Sequence, residues 1–314
     1  MIVINKGFVI SLTLIAILVV IGSGLASPNA KEIREKHEQE LLEIDGVSGV
    51  SVDESTNEIV VYTEDAEKGK KVPKNLDGIN VKQKVVGKIT ALSVRTTSYN
   101  PVFGGISVGN PYITAGTLGL VTLTLNGKLV ALSNAHVLAL NSQTKFLPIG
   151  TPIYQPGVYD GGNSANTIGS LFKYININFN KYSANNKADA AIATLTIPGN
   201  VGDVLDADNV GMYKITGTIT VTPRDAVRKS GRTTGVTTGE VSDTVATVKV
   251  SYGGKWAVFK DQIVVSTPGF SAGGDSGSAV DKDGKFVGLL FAGSSTVTIV
   301  NKASNIVGQL GITI

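Results

Sequence analysis

From about residue 93 onward, apolar and polar positions alternate with a period near two, in runs separated by short glycine-containing turns. GLVTLTL and KLVALSN flank Asn126-Gly127. TVKVSY and KWAVFKDQIVVS flank Gly253-Gly254. SAVD and KFVGLLF flank Lys282-Asp283-Gly284. Alternation buries one face of each run, and an Asn-Gly or Gly-Gly pair supplies the positive φ angles of a tight hairpin. These segments therefore predict β-hairpins. Helical periodicity returns only at NKASNIVGQL near the carboxyl end. About 220 residues of this pattern, without a fixed repeat, predict a closed barrel or a pair of barrels.

Two earlier segments follow other patterns. Lys6 precedes an apolar run from Phe8 to Ile21 that weakens toward Leu25, with small residues at Gly24 and Ala26. A run of ~14 strongly apolar residues suits an export signal better than a membrane span of ~20. Residues 1–27 are read as a signal peptide or, uncleaved, as a membrane anchor tethering the chain through residues 8–25. Residues 28–92 read as a small α+β domain. Ile33, His37, Leu41 and Ile44 recur near helical spacing in KEIREKHEQELLEI, and GVSGVSV, EIVVYTE and INVKQKVVGKI read as strands. His37 lies on this charged helix and is read as a surface or boundary residue.

Composition narrows the chemistry. With 42% apolar and 17% charged residues the chain is not mainly disordered. It has no cysteine, which excludes disulfides, zinc–thiolate sites and cysteine nucleophiles. Its two histidines, His37 and His136, exclude a multi-histidine metal site. No metal and no cofactor are predicted. A net charge of +3 is too small to point to nucleic acid. The charge is uneven, at −3 over residues 28–92 and +5 over residues 93–314. The first segment is therefore expected to modulate the second by docking or tethering.

Three residues stand out by their surroundings. His136 sits in LSNAHVLAL, directly after a hairpin strand. Asp189 sits in NNKADAAIATL, where a polar loop enters an apolar strand. Ser276 sits in SAGGDSGSAV, a glycine-rich turn before a strand. A serine hydroxyl attacks at neutral pH only with a base in hydrogen-bond reach, and that base needs a third group to fix its tautomer. The β region holds one histidine, so a base there is not a choice among many, the alternative for His136 being a satisfied core histidine. Glycines around Ser276 allow backbone N–H groups to face a developing oxyanion. Asp203, Asp206 and Asp208 rival Asp189, or form a calcium loop or a set of surface carboxylates. The apolar strand behind ADAAIA favours Asp189.

The blocks SNAHVL, ADAAIA and GGDSGS, in this order, resemble the chymotrypsin/trypsin-like serine protease family. VRKSGRTTGVTTGEV at 227–241 resembles its bacterial branch, which includes α-lytic protease and the streptogrisins. The resemblance covers roughly residues 93–314. It implies an all-β fold of two antiparallel six-stranded β-barrels, about 93–205 and 206–314, preceded by the small α+β domain and the N-terminal hydrophobic segment. It implies His136 as general base, Asp189 as its orienting carboxylate and Ser276 as nucleophile. Backbone N–H groups of Gly274 and Ser276 form the oxyanion hole. The substrate pocket falls to Phe270, at its base, and to Phe291, Ala292 and Gly293, which implies an uncharged preference. No Ile-Val-Gly-Gly activation sequence stands near residue 93. The resemblance instead implies an internal ion pair from Lys229 to Asp275, with Arg228 and Arg232 as substitutes.

Three positions depart from the family pattern. Val137 and Thr238 stand where cysteines are common. Phe291 stands where a serine normally supports the aspartate. The reading is an exported serine endopeptidase acting on polypeptides, secreted or anchored at the outer face of the cell membrane, with no nucleic-acid partner. The alternatives are a binding or chaperone-like protein that keeps the protease fold, and a protease that processes only itself.

Overall fold

Asn29 caps the first helix of the computed structural model, which describes residues 29–87, 89 and 94–314. The apolar segment at 8–25, read as a signal or tether, lies outside the described residues. Among the described residues no helix is long and apolar enough to cross a membrane. The chain divides into two units, residues up to 90 and residues from 91 onward.

In the first unit, the Asn29 side chain accepts from Lys31 N–H and starts α1, Ala30–Leu42. Strands β1, Val47–Asp53, and β2, Glu58–Thr63, pair antiparallel across the polar stretch at 54–57. The short β3, Asn75–Leu76, and β4, Ile79–Val85, complete a sheet in the order β1-β2-β4-β3. Ala30 and Leu41 meet Ile59, Val61, Val72 and Ile79 in its core. The helix ends at Leu42, so Ile44 packs from the following turn rather than from the helix. His37 sits at the boundary, its ring between Glu40 (3.0 Å) and Asp77 (3.1 Å).

The second unit opens with β5, Val102–Gly104, and β6, Ile106–Val108, broken by Gly105 at φ +87°. Strands β7, Gly116–Leu118, and β8, Leu120–Thr124, are broken in the same way at Gly119, where a Cβ would meet Gly277 O at 2.3 Å. The Asn126-Gly127 turn, with Gly127 at φ +75°, returns the chain into β9, Leu129–Ser133. One helical turn, α2 (Ala135–Leu138), follows. Then come β10 (Pro152–Tyr154), β11 (Thr167–Tyr174), β12 (Ala191–Leu195), β13 (Gly199–Leu205) and β14 (Met212–Lys214). The last third holds β15 (Ala226–Gly231), β16 (Gly235–Ser251), β17 (Trp256–Val265), β18 (Ala279–Lys282), β19 (Lys285–Gly293) and β20 (Thr298–Lys302). Helix α3 (Ala303–Leu310) stops at Gly311 (φ +72°), and β21 (Ile312–Thr313) ends the fold.

Strands β15 to β20 close into a six-stranded barrel in the order β15-β16-β17-β20-β19-β18. Val227, Val241, Val265, Val280, Leu290 and Val300 fill it. The first half differs from a single six-strand ladder. Its main sheet runs β10-β11-β12-β9-β8-β21, and β14-β13-β5 and β6-β7 form separate small sheets. The breaks at Gly105 and Gly119 divide what would otherwise be continuous strands. Membership also departs from sequence order, because β21 pairs with β8 and β14 joins β13 beyond residue 205. A seam core of Leu120, Leu132, Ile192, Leu289, Ile306 and Leu310 joins the halves under α3.

Candidate active site

The site forms where the two halves meet. Strand β9 ends at Ser133. The Asn134 carbonyl then accepts from Val137 N (3.2 Å) and Leu138 N (3.0 Å), which turns the chain into α2 and carries His136 to the rim of the cleft. Asn134 Nδ2 also donates to the Asp189 carbonyl (2.7 Å), fixing the two segments against each other. Ala188, Asp189 and Ala190 are all fully buried.

That carboxylate is fully satisfied. Oδ1 accepts from the backbone N–H of His136 (3.0 Å). Oδ2 lies 2.7 Å from His136 Nδ1 and accepts from the Tyr252 hydroxyl at 2.7 Å. Behind it, Asp189 N donates to Asn301 Oδ1 (2.9 Å), and Asn301 Nδ2 donates to Gln262 Oε1 (2.6 Å). Burial alone would raise the Asp189 pKa. The neighbouring imidazole, its hydrogen bonds and the Tyr252 hydroxyl outweigh burial and hold the carboxyl below its ordinary range.

Ser276 comes from the closed barrel, on the turn before β18. Gly274 (φ +99°) and Gly277 (φ +95°) flank it in backbone conformations that side chains oppose. At Gly277 a Cβ would meet Ser133 Oγ at 2.1 Å and Thr117 O at 2.3 Å. Asp275 N donates to Ala272 O and Ser278 N to Asp275 O, closing the turn. Among the described residues, these internal bonds do not use the N–H groups of Gly274 and Ser276. The first half holds the turn from below, through Thr117 N to Ser276 O (2.7 Å) and Thr117 Oγ1 to Gly274 O (2.9 Å).

Asp275 points away from the cleft into a buried pocket. It accepts from Thr233 N (2.9 Å), Thr234 N (3.1 Å), Thr234 Oγ1 (2.7 Å) and Ala272 N (2.9 Å). Lys229 Nζ lies 3.7 Å from it, with both side chains fully buried. The two other bases of the segment are engaged elsewhere, Arg228 with Asp281 (3.0 Å) and Arg232 with Asp160 (Nε to Oδ2, 2.8 Å). Burial pulls the Lys229 pKa down to about 8, against the opposing pull of Asp275. The folded value is then below the unfolded one. Between about pH 8 and 10.5 the unfolded chain keeps a proton that the native amine has lost, so this group adds stability as pH rises. The stability difference between wild type and Lys229→Met is therefore expected to shift in favour of wild type across that window. Urea unfolding at several pH values, followed by the fluorescence of Trp256, measures it. A difference that stays flat from pH 7 to 10.5 would remove the lowered amine.

His136 and Ser276 line one cleft of about 710 Å³. One wall is Leu140–Ser142 and Thr144, another is Val248–Gly253 of the β16–β17 hairpin, and Phe291–Ser294 forms a third. A smaller pocket of about 250 Å³ opens beside Ser276. Its lining comes from Ser271, Ala272, Gly273, Leu290, Ala292, Gly293 and Ser294. Phe270, expected at its base, is instead packed in the barrel core with Val265 and Leu290. Its bulk is apolar and the core accepts it, which leaves Ser271 on the pocket wall, paired with Thr298 (2.6 Å). Phe291 is buried against Phe259, with ring centroids 4.8 Å apart, and Ala292 and Gly293 face both cavities.

The rival carboxylates lie elsewhere. Asp203 pairs with Lys214 (2.7 Å), and Asp206 and Asp208 cap the turn between β13 and β14. Among the described residues no group of three or more metal-ligating side chains is assembled. Sequence reasoning missed Tyr252, Asn301 and Gln262. Their bonds span 39 to 112 residues, and no local motif marks them. It also missed Arg95, which is buried and donates to Gly105 O (3.0 Å), Ser230 Oγ (2.6 Å) and Asp206 O (2.8 Å).

This is the two-barrel fold of the chymotrypsin-like bacterial serine proteases. Thermobifida fusca Protease A superposes with a TM-score of 0.50 and 16% identity, covering 68% of this chain and 97% of its own. The Nocardiopsis protease NAPase gives 0.51 and 16%, over 68% of this chain and 100% of its own. A glutamic acid-specific serine protease, described as using a histidine triad in substrate binding, gives 0.50 and 19% over 68% and 100%. No protein-family model and no curated protein matches the sequence.

Proposed function

We propose that the protein is a serine endopeptidase that hydrolyses polypeptides through an acyl-enzyme. One observation carries this reading: a fully bonded Asp189–His136 pair opens on the same cleft as Ser276, on a turn shaped by two positive-φ glycines. Asp189 holds the Nδ1–H tautomer of His136, which leaves Nε2 free to accept a proton. Ser276 Oγ attacks the substrate carbonyl carbon as its proton passes to Nε2. The carbonyl oxygen takes the negative charge and accepts from the Gly274 and Ser276 N–H groups. His136 returns the proton to the amine as the C–N bond breaks. Water, activated by the same imidazole, then releases the acyl group.

The lining of the smaller pocket has no charged side chain, which supports an uncharged residue on the acyl side. Desolvating an unpaired arginine or lysine there would be costly. The apolar segment at 8–25 supports export, with residues 28–92 as an accessory domain ahead of the catalytic domain at 93–314. An organophosphonate serine probe tests the reading. A single adduct on Ser276, absent from Ser276→Ala, together with peptide-library cleavage by the wild type alone, is the expected result. An unlabelled Ser276 and an uncut library would favour a binding protein on a protease scaffold.

A further inference from the structure

The hydroxyl that completes Asp189 comes from an unexpected place. Tyr252 sits at the tip of the β16–β17 hairpin, where its N–H donates to Lys255 O (2.8 Å) across a turn with Gly253 at φ +78°. The hairpin belongs to the closed barrel, whereas Asp189 and His136 belong to the first half. Tyr252 O–H therefore crosses the junction to reach Asp189 Oδ2 (2.7 Å), the same oxygen that faces His136 Nδ1 (2.7 Å). Its ring stands edge-on to His136 (centroids 5.9 Å) and to Phe179 (5.4 Å). Burial and the carboxylate charge push the phenol pKa well above its ordinary value, so it remains a donor. Phe291 has no hydroxyl to offer, and its ring is tilted against Phe259.

The hairpin is also a wall of the cleft, through Val248–Gly253. It is seated on the first half along β17, where Asn186 Nδ2 donates to Val258 O (2.9 Å), Lys260 N donates to Asn186 O (2.9 Å), and Ala257 and Phe259 are buried in the first-half core. Asn180 N donates to Trp256 O (2.7 Å), Trp256 N to Asn180 Oδ1 (3.1 Å), and Lys255 Nζ to Thr144 O (3.3 Å). One element thus touches both the peptide-sized cleft and the buried carboxylate.

We propose that Tyr252 is a positioning residue for the Asp189–His136 pair. This rests on the endopeptidase reading. The seat of the hairpin on the first half keeps the phenol on Oδ2. Tyr252 touches neither the scissile bond nor Ser276 in this scheme. It acts through Asp189. Other charged groups on the packed elements are turned aside. Lys249 rests on Trp256 (5.2 Å), and Lys255 on Phe179 (5.3 Å).

Tyr252→Phe keeps the ring and removes the donor. Without it the carboxylate charge concentrates toward Nδ1–H, so protonated His136 is favoured. The His136 titration, read by imidazole NMR without substrate, is expected to move upward from that of the wild type. His37→Gln, in the accessory unit, separates the two histidine signals. In kinetics, kcat should fall roughly 10-fold with KM nearly unchanged, and the acid limb of the pH profile should move up with the titration. A Tyr252→Phe protein with wild-type His136 titration and wild-type kcat overturns the proposal. A wild type that takes no phosphonate label overturns the endopeptidase reading instead, and the titration still reports on Tyr252. A merely structural tyrosine would lower the melting temperature and leave the titration in place.

Discussion

Ser276→Ala is expected to lower kcat about 10⁶-fold, and adding His136→Ala should change it little further. On the endopeptidase reading, each residue is useless without the other. An alanine at 276 leaves His136 with no proton to take, and an alanine at 136 leaves the Ser276 hydroxyl without a base. The two belong to different halves of the unit and meet only across the cleft. Ser276→Ala removes no large core side chain and should melt with the wild type, whereas His136→Ala takes the imidazole from buried Asp189 and should melt lower. What survives should be the contribution of the N–H groups of the Gly274–Ser276 turn and of substrate binding. Single-turnover rates of the two single variants and the double variant provide the measurement. Additive losses, with the double variant far below either single one, would break the shared mechanism.

Asp189→Asn is expected to cost about 10⁴-fold in kcat, with KM within a few-fold of wild type. The carboxylate accepts three hydrogen bonds at once: two from His136 and one from Tyr252. An asparagine has one acceptor oxygen. If that oxygen keeps the His136 backbone N–H, the amide NH₂ faces Nδ1, and the imidazole carries its proton on Nε2. That proton points toward Ser276, and the base is lost. If the oxygen turns to Nδ1 instead, the amide NH₂ opposes a backbone N–H in a fully buried position, at a cost of about 1–3 kcal/mol. The first arrangement costs activity, and the second costs stability. Steady-state kinetics and urea unfolding on the same sample distinguish them. Wild-type kcat in Asp189→Asn would move the orienting role to another acid. Asp203, Asp206 and Asp208, bonded around the β13–β14 turn, offer no such group.

The hairpins were legible because their signals are local. Asn126-Gly127, Gly253-Gly254 and Asp283-Gly284 carry their own turn chemistry, and the alternating runs beside them give the buried faces. His136, Asp189 and Ser276 were legible because each sits in a short block of distinctive residues at a strand end. The residues that hold Asp189 were not. Tyr252 looks like an ordinary aromatic before a two-glycine turn, and Asn301 is one polar residue in an apolar strand. Their roles exist only once strands far apart in sequence are brought together. Phe270 failed for a related reason. Counting back from Ser276 gives a position along the chain, and the direction of a side chain at a turn is set by the core that receives it. The broken sheets of the first half depend on Gly105, which the Ser230 and Arg95 side chains approach, and on Gly119, which the Gly277 carbonyl approaches, and neither Ser230 nor Gly277 is near its glycine in sequence.

The pairing of β21 with β8 carries a consequence for synthesis. Ile312 lies opposite Thr124, so the main sheet of the first half lacks an edge until the chain has advanced nearly 190 residues beyond β8. At ~5–20 residues per second, a ribosome takes roughly 10–40 s to cover that distance. The segment carrying His136 and Asp189 thus leaves the tunnel well before its own sheet can be completed. Ser276 emerges in the interval, ahead of the closing strand. The sheet that carries His136 and Asp189 thus gains its last strand after all three candidate residues have been made, which ties completion of that scaffold to the arrival of residues 312–313 rather than to that of Ser276.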